Sequence, residues 1–150
     1  MKKIIKGDIV MESLHLTELV DLSNVEVTGM FSCRDNSITS LEGAPKVVHH
    51  GFDCSYNKLQ NLIGAPKVVH RGFDCSYNKL QNLIGAPKRI YGDFNCCNNP
   101  LISLKGLPKE IGTYLRISHE LKTEFSEKYI HSICNVGIII WTHNDGLIRA

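Results

Sequence analysis

The chain has 150 residues, of which 43% are hydrophobic and 21% are charged, and these values fit one ordinary globular domain. A formal net charge of only +2 provides no general attraction to nucleic acid or to an anionic membrane surface. No apolar stretch is long enough to cross a bilayer or to act as a secretory signal, so we expect a cytoplasmic protein.

One stretch of sequence, GFDCSYNKLQNLIGAPK, occurs twice without a change, at residues 51–67 and 72–88. The two copies are offset by 21 residues, from position 51 to position 72, and looser copies lie at residues 30–46 and 93–109. A fixed period of this length is typical of stacked repeat architectures, in which each turn buries its apolar side against its neighbours.

Aligning the copies places equivalent residues in columns. The strongest columns are Phe31, Phe52, Phe73 and Phe94; Cys33, Cys54, Cys75 and Cys96; and Asn36, Asn57, Asn78 and Asn99. Phe and Cys alternate with polar residues, as in a strand with one buried side, and each Asn is expected to bind backbone groups where the chain turns. We predict parallel strands near residues 9–11, 31–33, 52–54, 73–75, 94–96 and 115–117.

The pattern F-x-C-x-x-N-x-L-x-x-L-x-G-x-P resembles a leucine-rich repeat in which Phe and Cys replace two leucines. His49, His70 and Tyr91 occupy the first position of the hallmark. The resemblance implies a solenoid of about six coils, with a parallel β-sheet on the concave face and a largely irregular convex side. Similar repeats occur in small phage and bacterial proteins, so it also implies a phage- or bacteria-encoded inhibitor of a host or defence protein, acting in the host cytoplasm if phage-encoded.

The single domain, residues 1–150, divides into an N-terminal capping coil (1–29), the repeats (30–117) and a C-terminal cap (118–150). In the cap, Ser118 is expected to begin an amphipathic helix. The residues that this helix is predicted to bury are Leu121, Phe125, Tyr129 and Ile133.

After the helix, residues 136–141 predict a strand, and residues 144–146 (Asn-Asp-Gly) predict a hairpin turn that returns through residues 147–149. The apolar strand would leave an exposed edge. Self-association into a homodimer through residues 136–141 and this hairpin is therefore one alternative function.

The cysteines recur at one repeat position, which favours packing over disulfides or a metal site, because ligands in a row of strands do not converge tetrahedrally. Cys97 falls where Ser55 and Ser76 are predicted to face outward, so we expect an exposed thiol there. Cys134, three residues after His131, is expected to be buried. No catalytic motif is present, and we expect no enzymatic activity, no metal and no other cofactor.

The concave surface is the usual binding face of a solenoid. Asp53 and Asp74 occupy equivalent positions in neighbouring strands and would repel each other unless a basic group lies between them. We therefore expect the concave face to bind another protein that carries a basic segment. The contact residues we predict are Arg34, Asp53, Tyr56, Asp74, Tyr77, Asp93, Asn95 and Arg116.

A second surface is marked by a lysine ladder, formed by Lys46, Lys67, Lys88 and Lys109. A solubilising edge is the simplest interpretation of these residues. Nucleic-acid binding along this row, with the lysines following a phosphate backbone, is the other alternative function.

Overall fold

The structure, a computed structural model, describes residues 1–143 and forms a parallel β-solenoid of about seven turns. The strands predicted at the Phe and Cys columns are present as a row that we call the second ladder. Its short strands are β2 (Ile9–Val10), β4 (Phe31–Ser32), β6 (Phe52–Asp53), β8 (Phe73–Asp74) and β10 (Phe94–Asn95). Neighbouring strands pair in parallel and in register, as the 21-residue period predicts.

Each turn also contributes a strand that sequence analysis did not predict, a few residues before the Phe position. These strands form the first ladder: β1 (Lys3–Ile5), β3 (Val25–Val27), β5 (Val47–Val48), β7 (Val68–Val69) and β9 (Arg89–Ile90). Valine favours extended backbone, and the last residue of each of β3, β5, β7 and β9 is buried. The chain therefore has more regular structure outside the Phe and Cys strands than the expected solenoid allows.

The two ladders join in one long strand, β11 (Glu110–Ser118), which pairs with both β9 and β10. A 3₁₀ helix (His119–Thr123), α1 (Glu127–Ile133) and β12 (Asn135–Thr142) follow. β12 pairs in parallel with β11 along most of its length. The C-terminal segment is thus the seventh turn of the solenoid, in which helices replace the usual outer loop.

The expected continuous helix from Ser118 is wrong. The α-helix begins at Glu127, and the side chain of its N-cap residue, Ser126, accepts a hydrogen bond from the backbone N–H of Tyr129, whereas Ser118 makes no side-chain cap bond. The break between the two helices rotates the second one, so that Tyr129 is exposed and Ile130 is fully buried. The predicted strand at residues 136–141 is confirmed, and the predicted hairpin lies outside the described residues.

The core is built from columns that stack one residue per turn. Phe52 lies between Phe31 and Phe73, with ring centroids 5.1 Å and 5.0 Å apart. The predicted role of the Asn column is confirmed: the side-chain amide of Asn57 donates to the Cys33 carbonyl at 2.9 Å, and its Oδ1 accepts from the backbone N–H of Ile38 at 3.0 Å. These bonds tie each turn to the one before it.

The last strand, β12, lies at the end of the stack, and within residues 1–143 no strand pairs with its outer edge. Ile138 in this strand is 59% exposed. Self-association through residues 136–141 stays a prediction. None of the helices within residues 1–143 has the length and apolar character needed to span a membrane.

Candidate functional site

The residues expected to contact a partner are linked on one surface along the second ladder, which we call the tyrosine face. It consists of Arg34, Asp53, Tyr56, Asp74, Tyr77, Asp93, Asn95 and Arg116. Strand register places Asp53 beside Asp74, Asp74 beside Asn95, and Asn95 beside Arg116. Each of these four residues is partly exposed, so the row is accessible from solvent.

A local hydrogen-bond motif fixes the two neighbouring carboxylates. Oδ1 of Asp53 accepts hydrogen bonds from the backbone N–H of Ser55 at 2.9 Å and from its hydroxyl at 2.6 Å. Asp74 and Ser76 repeat the motif with the same two distances. Because adjacent strands lie about 4.8 Å apart, the two carboxylates are held side by side in defined orientations.

Ser55, Ser76 and Cys97 lie two positions after Asp53, Asp74 and Asn95, and their predicted outward orientation is wrong. Ser55, Ser76 and Cys97 are all buried, because the chain turns immediately after each strand. Oδ1 of Asn95 accepts from the backbone N–H of Cys97 at 3.1 Å, which repeats the acid–serine motif. Burial raises the pKa of the Cys97 thiol, an effect that the nearby Thr142 hydroxyl partly opposes.

The charge on the carboxylate pair is only partly balanced within the molecule. Burial raises the pKa of Asp74, and the negative charge of Asp53 raises it further, while the Ser76 hydrogen bonds and the positive charge of Arg34 lower it. The side-chain amide of Asn95 donates to Oδ2 of Asp74 over a long 3.4 Å. The centre of the tyrosine face is therefore a negatively charged site suited to a cationic group.

Two stacked tyrosines lie beside the carboxylates. The rings of Tyr56 and Tyr77 have centroids 4.2 Å apart and planes 9° apart. The guanidinium of Arg34 lies 4.7 Å from the centroid of the Tyr56 ring, in a cation–π contact. The three side chains form a continuous column across three turns of the solenoid.

The tyrosines adopt an unusual backbone conformation. Tyr56 and Tyr77 have φ values of 54° and 56°, in the left-handed region. The equivalent residues in the flanking turns are Asp35 and Asn98, both with φ of 57°. Asp and Asn tolerate this region well, whereas bulky residues rarely adopt it.

The C-terminal end of the tyrosine face has a second Arg–Tyr pair that sequence analysis did not select. The Arg116 guanidinium lies 5.0 Å from the centroid of the Tyr114 ring, and its Nη2 donates to the Tyr114 hydroxyl at 3.5 Å. Tyr114 and the charge of Asp93 both raise the pKa of Arg116. The available signal was the two-residue spacing of Tyr114 and Arg116, which places both side chains on one side of β11.

The cysteine column fills the core, as predicted. Cys54, Cys75 and Cys96 are buried, and their thiols donate to backbone carbonyls of the next turn at 3.4 Å. Burial raises the pKa of the Cys33 thiol to about 12 and that of Cys134, which is buried as expected, to about 11. Within residues 1–143, no group of three or more His, Cys, Asp or Glu side chains is arranged to hold a metal ion.

Comparison with known proteins adds no family to these observations. Protein-family models, curated proteins and solved structures were compared with the chain, and none of them matches it.

Proposed function

We propose that the chain is a non-catalytic protein that binds a partner protein through the tyrosine face. The observation that carries the proposal is the left-handed backbone of the two stacked tyrosines, Tyr56 and Tyr77. Positive φ at a bulky residue is uncommon, and such residues concentrate at functional sites.

The energetics support a role in contact for these rings. A left-handed backbone costs about 1 kcal/mol for each residue other than Gly, Asn or Asp, which is about 2 kcal/mol for Tyr56 and Tyr77 together. Stacking of an aromatic pair returns about 0.5–1.5 kcal/mol. Because the stacking energy does not exceed this cost, stacking by itself gives no reason for Tyr in place of the Asp35 or Asn98 type of residue. Tyrosine is, however, enriched at protein interfaces, where it combines a large apolar ring with a hydrogen-bonding hydroxyl.

The charge of the surface indicates the chemistry of the partner. Asp53 and Asp74 present adjacent carboxylates beside the aromatic column, and a partner's Arg or Lys side chain would neutralise both. Arg34 on Tyr56 is an intramolecular example of the same contact between a guanidinium and a ring. We infer that the partner inserts a basic segment along the second ladder.

We further propose that the solenoid is a divergent leucine-rich repeat. The support is the F-x-C-x-x-N-x-L pattern and its hydrogen-bonded Asn ladder. The departure lies at the first hallmark position, where His49, His70 and Tyr91 are exposed and stack on one another instead of filling the core. The resemblance to small phage and bacterial repeat proteins favours a host or defence protein as the partner.

The proposal is tested with the double variant Asp53→Asn, Asp74→Asn. Asparagine keeps the Oδ1 acceptor, as Asn95 does in the next turn, so the local motif survives while both charges are lost. We expect capture of the partner from a lysate of the native cells to fall at least tenfold, which corresponds to about 1.4 kcal/mol. Mass spectrometry identifies the partner and quantifies its capture.

The control is the double variant Glu18→Gln, Glu42→Gln, which removes two exposed carboxylates that lie outside the tyrosine face. It is expected to capture the partner as well as the unmodified chain does. Equal loss in both double variants, or no loss in either, would remove the tyrosine face as the binding site.

A further inference from the structure

The lysine ladder lies on a regular backbone frame. The backbone N–H of Lys88 donates to the carbonyl of Lys67 at 2.9 Å, and that of Lys109 donates to the carbonyl of Lys88 at 2.9 Å. Bonds of this kind set neighbouring lysines about 4.8 Å apart along the stacking axis. All four ladder residues are exposed. The spacing of the positive charges is thus built into the solenoid.

These positive charges are poorly compensated. Among the described residues, no carboxylate lies within 4.0 Å of the ammonium group of Lys67, Lys88 or Lys109. Lys46 differs, since its Nζ donates to the Gly64 carbonyl at 2.9 Å and its charge lowers the pKa of Asp21. The last three lysines of the ladder therefore form a row of unpaired cations.

An apolar groove runs beside this row. Two adjoining cavities of about 410 and 470 Å³ share Gly64, Ala65 and Lys67, and no acidic residue lines either cavity. The apolar side chains at their margins include Ile63, 59% exposed, and Val68, 38% exposed. A solubilising edge alone requires lysines and no groove, so the exposed aliphatic side chains point to a ligand.

We propose that this lysine groove, lined by Lys67, Lys88, Lys109, Ile63, Ile84 and Val68, binds an extended acidic protein segment that carries aliphatic side chains. The segment's carboxylates pair with the lysines, and the aliphatic side chains that alternate with them enter the two cavities. A single row of cations next to an aliphatic floor matches such a segment in both charge and polarity.

The aliphatic side chains of the groove favour an acidic peptide over the other polyanionic ligands, which are nucleic acid and an anionic membrane surface. Nucleic acid presents phosphates and flat bases, and proteins hold single strands of it with aromatic rings in a basic groove. The groove offers aliphatic side chains and a single aromatic residue, His70. A bilayer surface is broad and does not fill recessed cavities, whereas isolated apolar side chains of a peptide do. The groove shares no residue with the tyrosine face, so the two proposals stand independently.

A strand of about five residues spans the ladder. The test therefore uses the full chain and a peptide of roughly eight residues with alternating Glu and Leu, which covers the ladder with residues to spare. Binding is followed by NMR through the methyl signals of Ile63, Ile84 and Val68. We expect these signals to shift on addition of the peptide and the affinity to fall as salt is raised. A peptide of alternating Glu and Ser, with the same charge, is expected to bind at least fivefold more weakly.

Two double variants test the groove. The first carries Lys67→Glu with Lys88→Glu, and the second, a milder change, carries Lys67→Gln with Lys88→Gln. We expect affinity for the Glu–Leu peptide to fall at least tenfold in the first and at least threefold in the second. The matched control is Lys58→Glu, Lys79→Glu, which reverses two exposed lysines in the same two repeats outside the groove. It is expected to change affinity less than twofold.

Three results would overturn the proposal. One is the absence of methyl shifts with the Glu–Leu peptide, and another is an equal loss of affinity in the control variant. The third is tighter binding at the same methyl groups by an oligothymidine or by vesicles that contain phosphatidylserine, which would assign the groove to nucleic acid or to a membrane. Binding of a partner at the tyrosine face is measured separately and is unaffected by any of these results.

Discussion

Asp74 destabilises the folded chain when its carboxyl is ionised, because burial and the charge of Asp53 raise its pKa above the ordinary value of 3.8. The folded state therefore holds this proton more tightly than the unfolded chain does. This contribution to stability falls as pH rises from about 3.8 through the raised pKa, and it stays low at neutral pH. The charge of Asp74 therefore does not stabilise the fold at neutral pH.

We predict that Asp74→Asn raises the free energy of unfolding at neutral pH by about 0.2–1 kcal/mol, the usual range for a repulsive cross-strand pair. Asn removes the charge and keeps the acceptor for Ser76. Urea unfolding at acidic and neutral pH measures the effect, and the gain should shrink on the acidic side. Glu42→Gln, at an exposed carboxylate outside the tyrosine face, is the control with an equal loss of charge and is expected to leave stability unchanged. A variant no more stable at neutral pH than the unmodified chain would contradict the electrostatic account.

The sequence predicted which residues form the tyrosine face but not how they are held. The two-residue alternation identified Asp53 and Asp74, and the repeat period placed them in register. Neither pattern showed that the chain turns inward directly after the strand. Cys97 was therefore predicted to be exposed, whereas it is buried. The flanking Asp35 and Asn98 carried that information, since both residue types favour a left-handed backbone.

Four successive turns of the solenoid have a glycine with positive φ at the outer bend. Gly85 has φ of 92°, and a Cβ built on it would lie 2.2 Å from the backbone nitrogen of Ile63 in the previous turn. Glycine is required there both for its conformation and for the close approach of two backbones. Gly7 has φ of 97° as well, but nothing lies within 4 Å of its Cβ position.

We predict that Gly85→Ala destabilises the chain by roughly 3 kcal/mol or more, because backbone strain and a backbone clash combine. Gly7→Ala should cost only about 1 kcal/mol, the cost of the left-handed conformation alone. Thermal unfolding followed by circular dichroism compares the two variants. Equal losses of stability would show that contact between turns is unimportant at the bend.

In the C-terminal turn, the sequence predicted the last strand but not the strand with which it pairs. The apolar run at residues 136–141 predicted a strand correctly. Its parallel partner was missed because Ile139 pairs with Leu115, 24 positions earlier, and shares none of the repeat motif. Pairing at that distance depends on the helices between the strands, and a single sequence gives no measure of their compactness.

We predict that Val136→Ala destabilises the chain by about 2 kcal/mol, since Val136 is buried against the core and pairs with Ile111. Ile138→Ala in the same strand should change stability by less than about 0.5 kcal/mol, because Ile138 is largely exposed. Denaturant unfolding measures both variants. If Val136→Ala is as mild as Ile138→Ala, β12 does not belong to the cooperative core.

At the scale of the whole molecule, stacked repeats produce rows of equivalent side chains, several of them identical. The period alone predicted a parallel solenoid, because every apolar column must be completed by the turn above and the turn below. The same repetition generates two surfaces of opposite charge, the tyrosine face and the lysine groove. Duplication of a repeat also copies surface residues that have no role. The tyrosine face differs from such surface in its left-handed tyrosine pair, and the lysine groove differs in its apolar cavities.

The most direct test of the binding role of the tyrosine face is the double variant Tyr56→Asn, Tyr77→Asn. Asparagine occupies the equivalent position at Asn98 with the same backbone conformation, so the fold should be retained within about 1 kcal/mol. Unfolding and titration with the captured partner are measured on the same samples. We predict an intact fold with at least tenfold weaker binding. A folded variant that binds the partner as tightly as the unmodified chain would contradict the account.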